Sequence, residues 1–565
     1  MSIHQVQEDE QDSVRELNTT IETAASVETA PGEEISSARI LDEVQRRRTF
    51  AIISHPDAGK TTLTEKLLLY SGSVAEAGAV RGRKSQRAVT SDWMELERQR
   101  GISITSTVLS FDYRGAQLNL LDTPGHQDFG SDTYRTLTAA DCAVMVIDAV
   151  KGIETQTRKL FKICSQRRIP ILTFVNKMDR PGCDPLRTLS DIESVLGIHA
   201  VPLNWPIGTG YEFKGVYDRA SDRVMVFKPM QRGSLRVPVD VCPLSEAANG
   251  LLTEDMAARL TDEVDLLNHA GEPFDRGRFL EGEITPVFFG SALNNFGVEP
   301  FFDAFLELSP PPRPRMSQTG LVSPARKEFS GVVFKIQANL DPRHHDRVAF
   351  MRVCSGTFAR DMEIINARTG EKIRVKRSQR LFARERETMD VAYAGDVVGL
   401  VIPGQLRLGD TLYEGTPLKI EGEWDFPLEC FARLRCDDTG RRKQFDRGLR
   451  QLEEEGAISL LRGGSNASQE FVLAAAGQLQ FDVVQYRLES EYKVKTVIQP
   501  LSQTIARWVT GDPADVAELK IPSEARLYYD LEGNPIVLFE YEGMLRYCQG
   551  MNDRLTFSEA RLRTP

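Results

Sequence analysis

Apolar runs and helical periodicities alternate along the first half of the chain. Residues 50–53, 118–121, 142–148, 169–175 and 284–289 are apolar at nearly every position, the pattern of strands covered on both faces. Between them, residues 62–69, 156–167, 186–196 and 255–270 carry apolar side chains at helical spacing. Strand and helix in alternation predict an α/β domain with a doubly wound, parallel-dominated sheet, whose ligands lie off the carboxyl ends of the strands.

The texture changes at Ser309-Pro310-Pro311-Pro312-Arg313-Pro314-Arg315, which has the stiffness of an interdomain linker. Beyond it the short apolar runs 331–336, 347–356 and 395–401 predict a small β-barrel. From about Trp424 strands alternate again with helices, near 443–455 and 477–489, which predicts a closing α+β domain. The start is different: Glu, Ser, Thr and Ala dominate and aromatics are few, leaving too little apolar surface to order it. The expected organisation is a disordered or loosely helical leader over 1–45, a first domain over 46–314 with an insertion at about 200–280, a β-barrel over 315–420 and an α+β domain over 421–565.

With 565 residues, 41% hydrophobic and 27% charged, the chain is long enough for about three or four globular domains. It has no apolar run long enough to span a membrane and no secretory signal, so a cytoplasmic protein is expected. Eight scattered cysteines without a C-x-x-C pair favour reduced, packed thiols over a metal site. A net charge of −11 argues against a general nucleic-acid coat. Two basic stretches, 81–87 and 372–380, leave room for a local contact, although such runs are more often solvated faces.

Chemistry concentrates where the predicted strands end. The first strand runs into Ser54-His55-Pro56-Asp57-Ala58-Gly59-Lys60-Thr61 and then a helix, matching the phosphate-cradling pattern G-x-x-x-x-G-K-[ST] except that Ser54 replaces the first glycine. Gly59 admits a phosphate close to the backbone, Lys60 supplies positive charge, and Thr61 offers a hydroxyl to Mg²⁺. The second apolar run ends in Asp122-Thr123-Pro124-Gly125-His126. There Asp122 is placed to hold Mg²⁺ through water, the Gly125 N–H to sense a γ-phosphate, and His126 to orient an attacking water. The long polar stretch between these motifs is expected to be an effector loop, with the Ser103 hydroxyl as a second side-chain ligand to Mg²⁺. Further on come Asn176-Lys177-Met178-Asp179 and Ser291-Ala292-Leu293. The two oxygens of Asp179 suit the N1–H and exocyclic amine of guanine, Asn176 would tie its loop to the phosphate loop, the Lys177 stem would lie along the base, and the N–H groups of Ser291 and Ala292 would reach guanine O6.

Taken together, S-H-P-D-A-G-K-T, R-G-I-S, D-T-P-G-H, N-K-M-D and S-A-L stand in the order found in the translational GTPases, and from about Arg46 onward the chain resembles that family. Ser54 and the R-G-I-S form ending at Ser103, with the segments 334–339, 347–352 and 477–484, resemble its termination subgroup rather than elongation factor G. The resemblance implies a P-loop GTPase domain followed by a β-barrel and an α+β domain, binding GTP or GDP with Mg²⁺ and acting as a monomer. It further implies a ribosome-dependent GTPase that promotes dissociation of stop-codon-reading release factors after peptide release, with ribosomal RNA placing His126. The rival expectation is an elongation-factor-G-like or ribosome-protection GTPase, which the single α+β domain after the barrel disfavours.

Overall fold

A computed structural model describes residues 37–73, 105–228, 237–248, 250–338, 347–382, 385–401, 406–422, 428–437, 439–463 and 471–559. Ser103 and residues 74–104 of the expected effector loop, with the basic stretch 81–87, and residues 1–36 of the expected leader lie outside the described residues.

The first strands are β1 (Arg47–Ser54), β2 (Thr107–Tyr113), β3 (Ala116–Asp122), β4 (Cys142–Asp148) and β5 (Ile171–Asn176). They are followed by β6 (His199–Pro202), β7 (Asn204–Ile207), β8 (Gly215–Asp218), β9 (Arg223–Phe227), β10 (Val239–Pro243) and β11 (Ile284–Phe289). In the sheet the order is β2-β3-β1-β4-β5-β11-β6. All pairs are parallel except β2 with β3, which form a hairpin. Successive residues of β1 enter opposite cores: Ala51 and Ile53 pack on one face with Met145 and Ile147, Phe50 and Ile52 on the other with Val144 and Val146. Burial on both faces is why these strands read as unbroken apolar runs rather than alternating ones. The second face is sealed by the helix Val298–Leu308, whose Phe305 ring lies 4.4 Å from that of Phe50.

The expected insertion begins inside this sheet, since β6 pairs with β11. The rest of it is an antiparallel meander, β10-β9-β8-β7, together with the helix Glu254–Ala270. Thr253 caps that helix, its hydroxyl accepting the Met256 N–H, and Glu254 and Asp255 complement the helix dipole in its first turn.

Within the stretch expected to be a leader, Ser37–Arg46 is a helix. Its Ile40 and Val44, one turn apart, bury against Ala394 of the second β-rich unit. That unit is built on the long antiparallel pair Ser330–Ala338 and Arg347–Ser355. Its sheet is continuous with the first, because the strand Ser378–Phe382 pairs with β2 at Phe382 and Leu109. Charged groups fill the junction: Arg47 Nε donates to Asp396 Oδ2 (2.8 Å), Arg352 Nη1 to Thr49 Oγ1 (2.6 Å), and Arg352 also pairs with Asp141. Buried ions are stable there only because each has a partner. The basic run 372–380 contributes strands to this unit, with Ile373 and Val375 buried and Lys372 paired to Glu363.

The last unit is an eight-stranded sheet whose core gathers Ala432 and Leu434 of one strand, Phe445, Leu449 and Leu452 of the helix Arg442–Glu454, and Phe481, Val484 and Leu488 of the helix Leu479–Ser490. Among the described residues no helix is long and apolar enough to cross a membrane.

Candidate nucleotide-binding and catalytic site

Because β1, β3, β4, β5 and β11 are parallel, their carboxyl ends share one edge of the sheet, and among the described residues the motifs that follow β1, β3, β5 and β11 begin there. The loop after β1 turns through left-handed backbone at Asp57 (φ 67°) and Gly59 (φ 104°) before the helix Lys60–Tyr70 starts. Gly59 is required twice over, since that φ favours glycine and a Cβ would sit 2.1 Å from Asn176 Nδ2. Lys60, on the first turn, is buried and its Nζ donates to Asp122 Oδ1 at 2.5 Å, joining the phosphate loop to the end of β3. Thr61 is exposed at the same helix end. Thr123 is fixed by donating its hydroxyl to the Ile52 carbonyl (2.7 Å), and Pro124 is buried while Gly125 backs onto Pro56. Ser54 is buried and Ala58 packs into the core, while His55 Nε2 lies 3.3 Å from Glu154 Oε1.

At the end of β5, Asn176 is the knot of the site. Its Nδ2 donates to the Ala58 carbonyl (2.8 Å), and its Oδ1 accepts the N–H of Lys177 (2.8 Å) and of Ala292 (2.9 Å). One carboxamide thus holds three loops in register, as expected for Asn176 toward the phosphate loop. Lys177 (φ 71°) reaches back to the Asp57 carbonyl and to Asp148 Oδ2 (2.7 Å). Burial pushes the Asp148 carboxyl upward. The Lys177 ammonium and the N–H groups of Val150 and Lys151 outweigh it and hold this acid below its ordinary range. Met178 is buried, and its backbone is tied to Gly290 and Gly210. Asp179 Oδ1 is buried and has no hydrogen-bond partner among the described residues, an unsatisfied acceptor at this edge of the sheet.

The N–H groups expected to face a base oxygen have partners within the chain. The Ser291 N–H is bonded to the Phe296 carbonyl (2.9 Å) and the Ala292 N–H to Asn176, because a small antiparallel bridge folds this loop back on itself. Leu293 is exposed beside them.

His126 is half-buried, and its Nδ1 accepts the N–H of Asp128 at 3.3 Å. The Asp128 carboxylate oxygen Oδ1 lies 3.6 Å from the same nitrogen. The short 3-10 turn Gln127–Phe129 then feeds the helix Gly130–Ala139. Nothing in the sequence marks the next residues as functional neighbours: Asp128 Oδ2 accepts the N–H of Leu479 (2.7 Å), Gln480 Nε2 donates to Ser131 Oγ (3.2 Å), and Arg135 Nη2 to the Gly456 carbonyl (2.7 Å). Partners more than 300 residues apart carry no periodic signal that would announce them.

Comparison with known proteins names the class. Residues 45–311 match the elongation factor Tu GTP binding domain, 328–415 match elongation factor G domain 2, and 423–549 match the C-terminal domain of class II release factor RF3. The fold and these matches define a translational GTPase, a binder of guanine nucleotides. Similar proteins include peptide chain release factor 3 of Gloeobacter violaceus, 53% identical over 93% of this chain and 99% of that one. The protein of the same name from Synechocystis sp. is 54% identical over 85% and 88% of the two chains, and that of Symbiobacterium thermophilum 48% over 92% and 98%. The chain belongs to the peptide chain release factor 3 family. Its fold is shared with a crystal structure of a Thermus thermophilus protein, at a TM-score of 0.65 with 21% identity, covering 86% of this chain and 72% of that one.

Proposed function

We infer that this chain is a GTPase of translation termination, which binds the ribosome and promotes dissociation of stop-codon-reading release factors after peptide release. What carries the reading at the level of chemistry is the convergence of Lys60, Asp122, Asn176, Asp179 and Ala292 at one sheet edge, with an acceptor of Asp179 left open.

In this reading the loop from Ser54 to Thr61 wraps the phosphates of GTP or GDP, with backbone N–H groups at the helix start and Lys60 facing the outer phosphates. The Lys60–Asp122 pair would exchange for contacts to phosphate and to hydrated metal. Thr61, with its exposed hydroxyl, and Asp122, through water, would hold Mg²⁺ together with Ser103. When bound, that ion neutralises charge on the β- and γ-phosphate oxygens. Asp179 accepts from the N1–H and amine of guanine, and the Lys177 stem flanks the base. For O6 to be recognised, the Ala292 N–H has to be shared with Asn176 Oδ1. His126 orients the attacking water, and contact with the ribosome completes its placement.

The same reading gives nucleotide chemistry to residues 46–314, in a cytoplasmic monomer. Its test is a ribosome-stimulated GTPase assay run beside release factor dissociation from post-termination complexes. Stimulated turnover with release factor departure is expected; turnover that instead drives translocation or removes a ribosome-bound antibiotic would overturn the termination role.

A further inference from the structure

The turn that carries His126 is held by a separate part of the molecule. Asp128 is the hinge of this arrangement: its N–H donates to His126 Nδ1 (3.3 Å), while its carboxylate accepts the Leu479 N–H (2.7 Å) at the start of the helix Leu479–Ser490 in the last unit. The contact is close-fitting. A Cβ on Gly477 would lie 2.4 Å from Asp128 Cγ and 2.5 Å from its Cα, so only glycine allows the two backbones to meet. Gly477 has no positive φ, hence close approach is the sole reason for it. Gln480 completes the clamp, its Oε1 accepting the N–H of Ala476 (2.8 Å) and of Gly477 (3.3 Å) and its Nε2 reaching Ser131 Oγ (3.2 Å) and the Ala457 carbonyl (3.1 Å). Beside the clamp lies a small cavity of about 60 Å³ lined by Phe129, Asp132, Lys335, Gly456 and Arg487, so three units meet within one side chain of the turn.

We propose that Asp128 is a positioning residue for His126, its carboxylate anchoring the 127–129 turn to the last unit so that docking of that unit sets the orientation of the imidazole. The inference rests on the reading of His126 as the residue that orients water. The backbone N–H that touches His126 survives any substitution at 128; alanine removes the anchor to Leu479 and with it the second carboxylate oxygen, which lies 3.6 Å from His126 Nδ1. An asparagine still accepts from Leu479, whereas alanine does not. Gly477→Ala forces the same two elements apart from the other side without altering a residue of the nucleotide site.

The test measures ribosome-stimulated single-turnover GTP hydrolysis, GTP KM and GDP affinity for the full-length chain and its variants, with circular dichroism and Tm as folding controls. Since small misplacement of a catalytic group costs one to two orders of magnitude, Asp128→Ala and Gly477→Ala should each lower kcat about tenfold. KM and GDP affinity should stay unchanged, Asp128→Asn should remain within about twofold of wild type, and the double Ala variant should be no slower than either single one. Unchanged kcat in Asp128→Ala, equal loss in Asp128→Asn, parallel loss of nucleotide affinity, or effects that multiply in the double variant would each overturn the proposal; should either Ala variant not fold, the remaining one with Asp128→Asn decides. His126→Ala runs alongside: if it retains turnover, the reading of His126 itself fails, and if it alone loses turnover, only the anchoring role fails.

Discussion

Asn176 and Ala292, 116 positions apart, meet in a 2.9 Å hydrogen bond that closes one loop of the candidate nucleotide site onto another. The same carboxamide holds the phosphate loop through Ala58, so a single side chain sets the spacing between the elements that would grip base and phosphates. Removing it should therefore loosen the nucleotide more than the fold.

Asn176→Ala loses three hydrogen bonds. At about 1 kcal/mol each, affinity for GDP should fall by about 2–4 kcal/mol, roughly 30- to 1000-fold. Equilibrium titration with a fluorescent guanine nucleotide measures this, while an unchanged circular dichroism spectrum would confirm that the sheet persists.

Gly59→Ala meets two obstacles at once, a φ of 104° and the Asn176 amide at 2.1 Å. Loss of measurable nucleotide binding is expected, together with destabilisation of about 1–3 kcal/mol from the strained backbone. Chemical denaturation and nucleotide titration on one preparation separate the two effects, and wild-type affinity would contradict the close approach.

The open acceptor on Asp179 predicts a change of base. Asp179→Asn replaces one acceptor oxygen by a donor, which suits the 2-oxo group of xanthine better than the amine of guanine. Competition between GDP and xanthosine diphosphate should shift toward the latter by about tenfold or more, the scale of one mismatched buried hydrogen bond. Unaltered selectivity would remove Asp179 from the base pocket.

Much of this geometry is legible in the sequence. Strands buried on both faces leave a pure apolar signal, and a motif at the carboxyl end of each then has only one place to go. The helix Ser37–Arg46 escapes such a reading because its neighbourhood is polar, although Ile40 and Val44 stand one turn apart. The occupied N–H groups of Ser291 and Ala292 are not foreseeable, since the bridge from Ser291 to Phe296 depends on backbone path rather than residue type. The Asp128–Leu479 contact and the Phe382–Leu109 pairing are one-residue meetings between units, and no periodicity encodes them.

In the last unit, burial pushes the carboxyl of Glu453 up from 4.5 to about 7, against the Leu460 N–H and helped by Glu454. An acid raised on folding binds more protons in the folded state than in the unfolded one across that interval. Stability from this group is therefore fully present below pH 4.5 and is lost as pH rises toward about 7. Glu453→Gln should flatten the pH dependence of Tm in that window and be more stable than wild type above it. Parallel Tm profiles for the two proteins would contradict this.

Guanine-nucleotide chemistry and termination meet in one experiment: GTP hydrolysis and departure of a labelled stop-codon-reading release factor, followed together on post-termination ribosomes for wild type and His126→Ala. The expected result is ribosome-stimulated hydrolysis with release factor loss for wild type, and GTP binding with hydrolysis reduced by at least about a hundredfold for His126→Ala. Near wild-type turnover in the variant, or hydrolysis by wild type that leaves the release factor in place, would contradict the account.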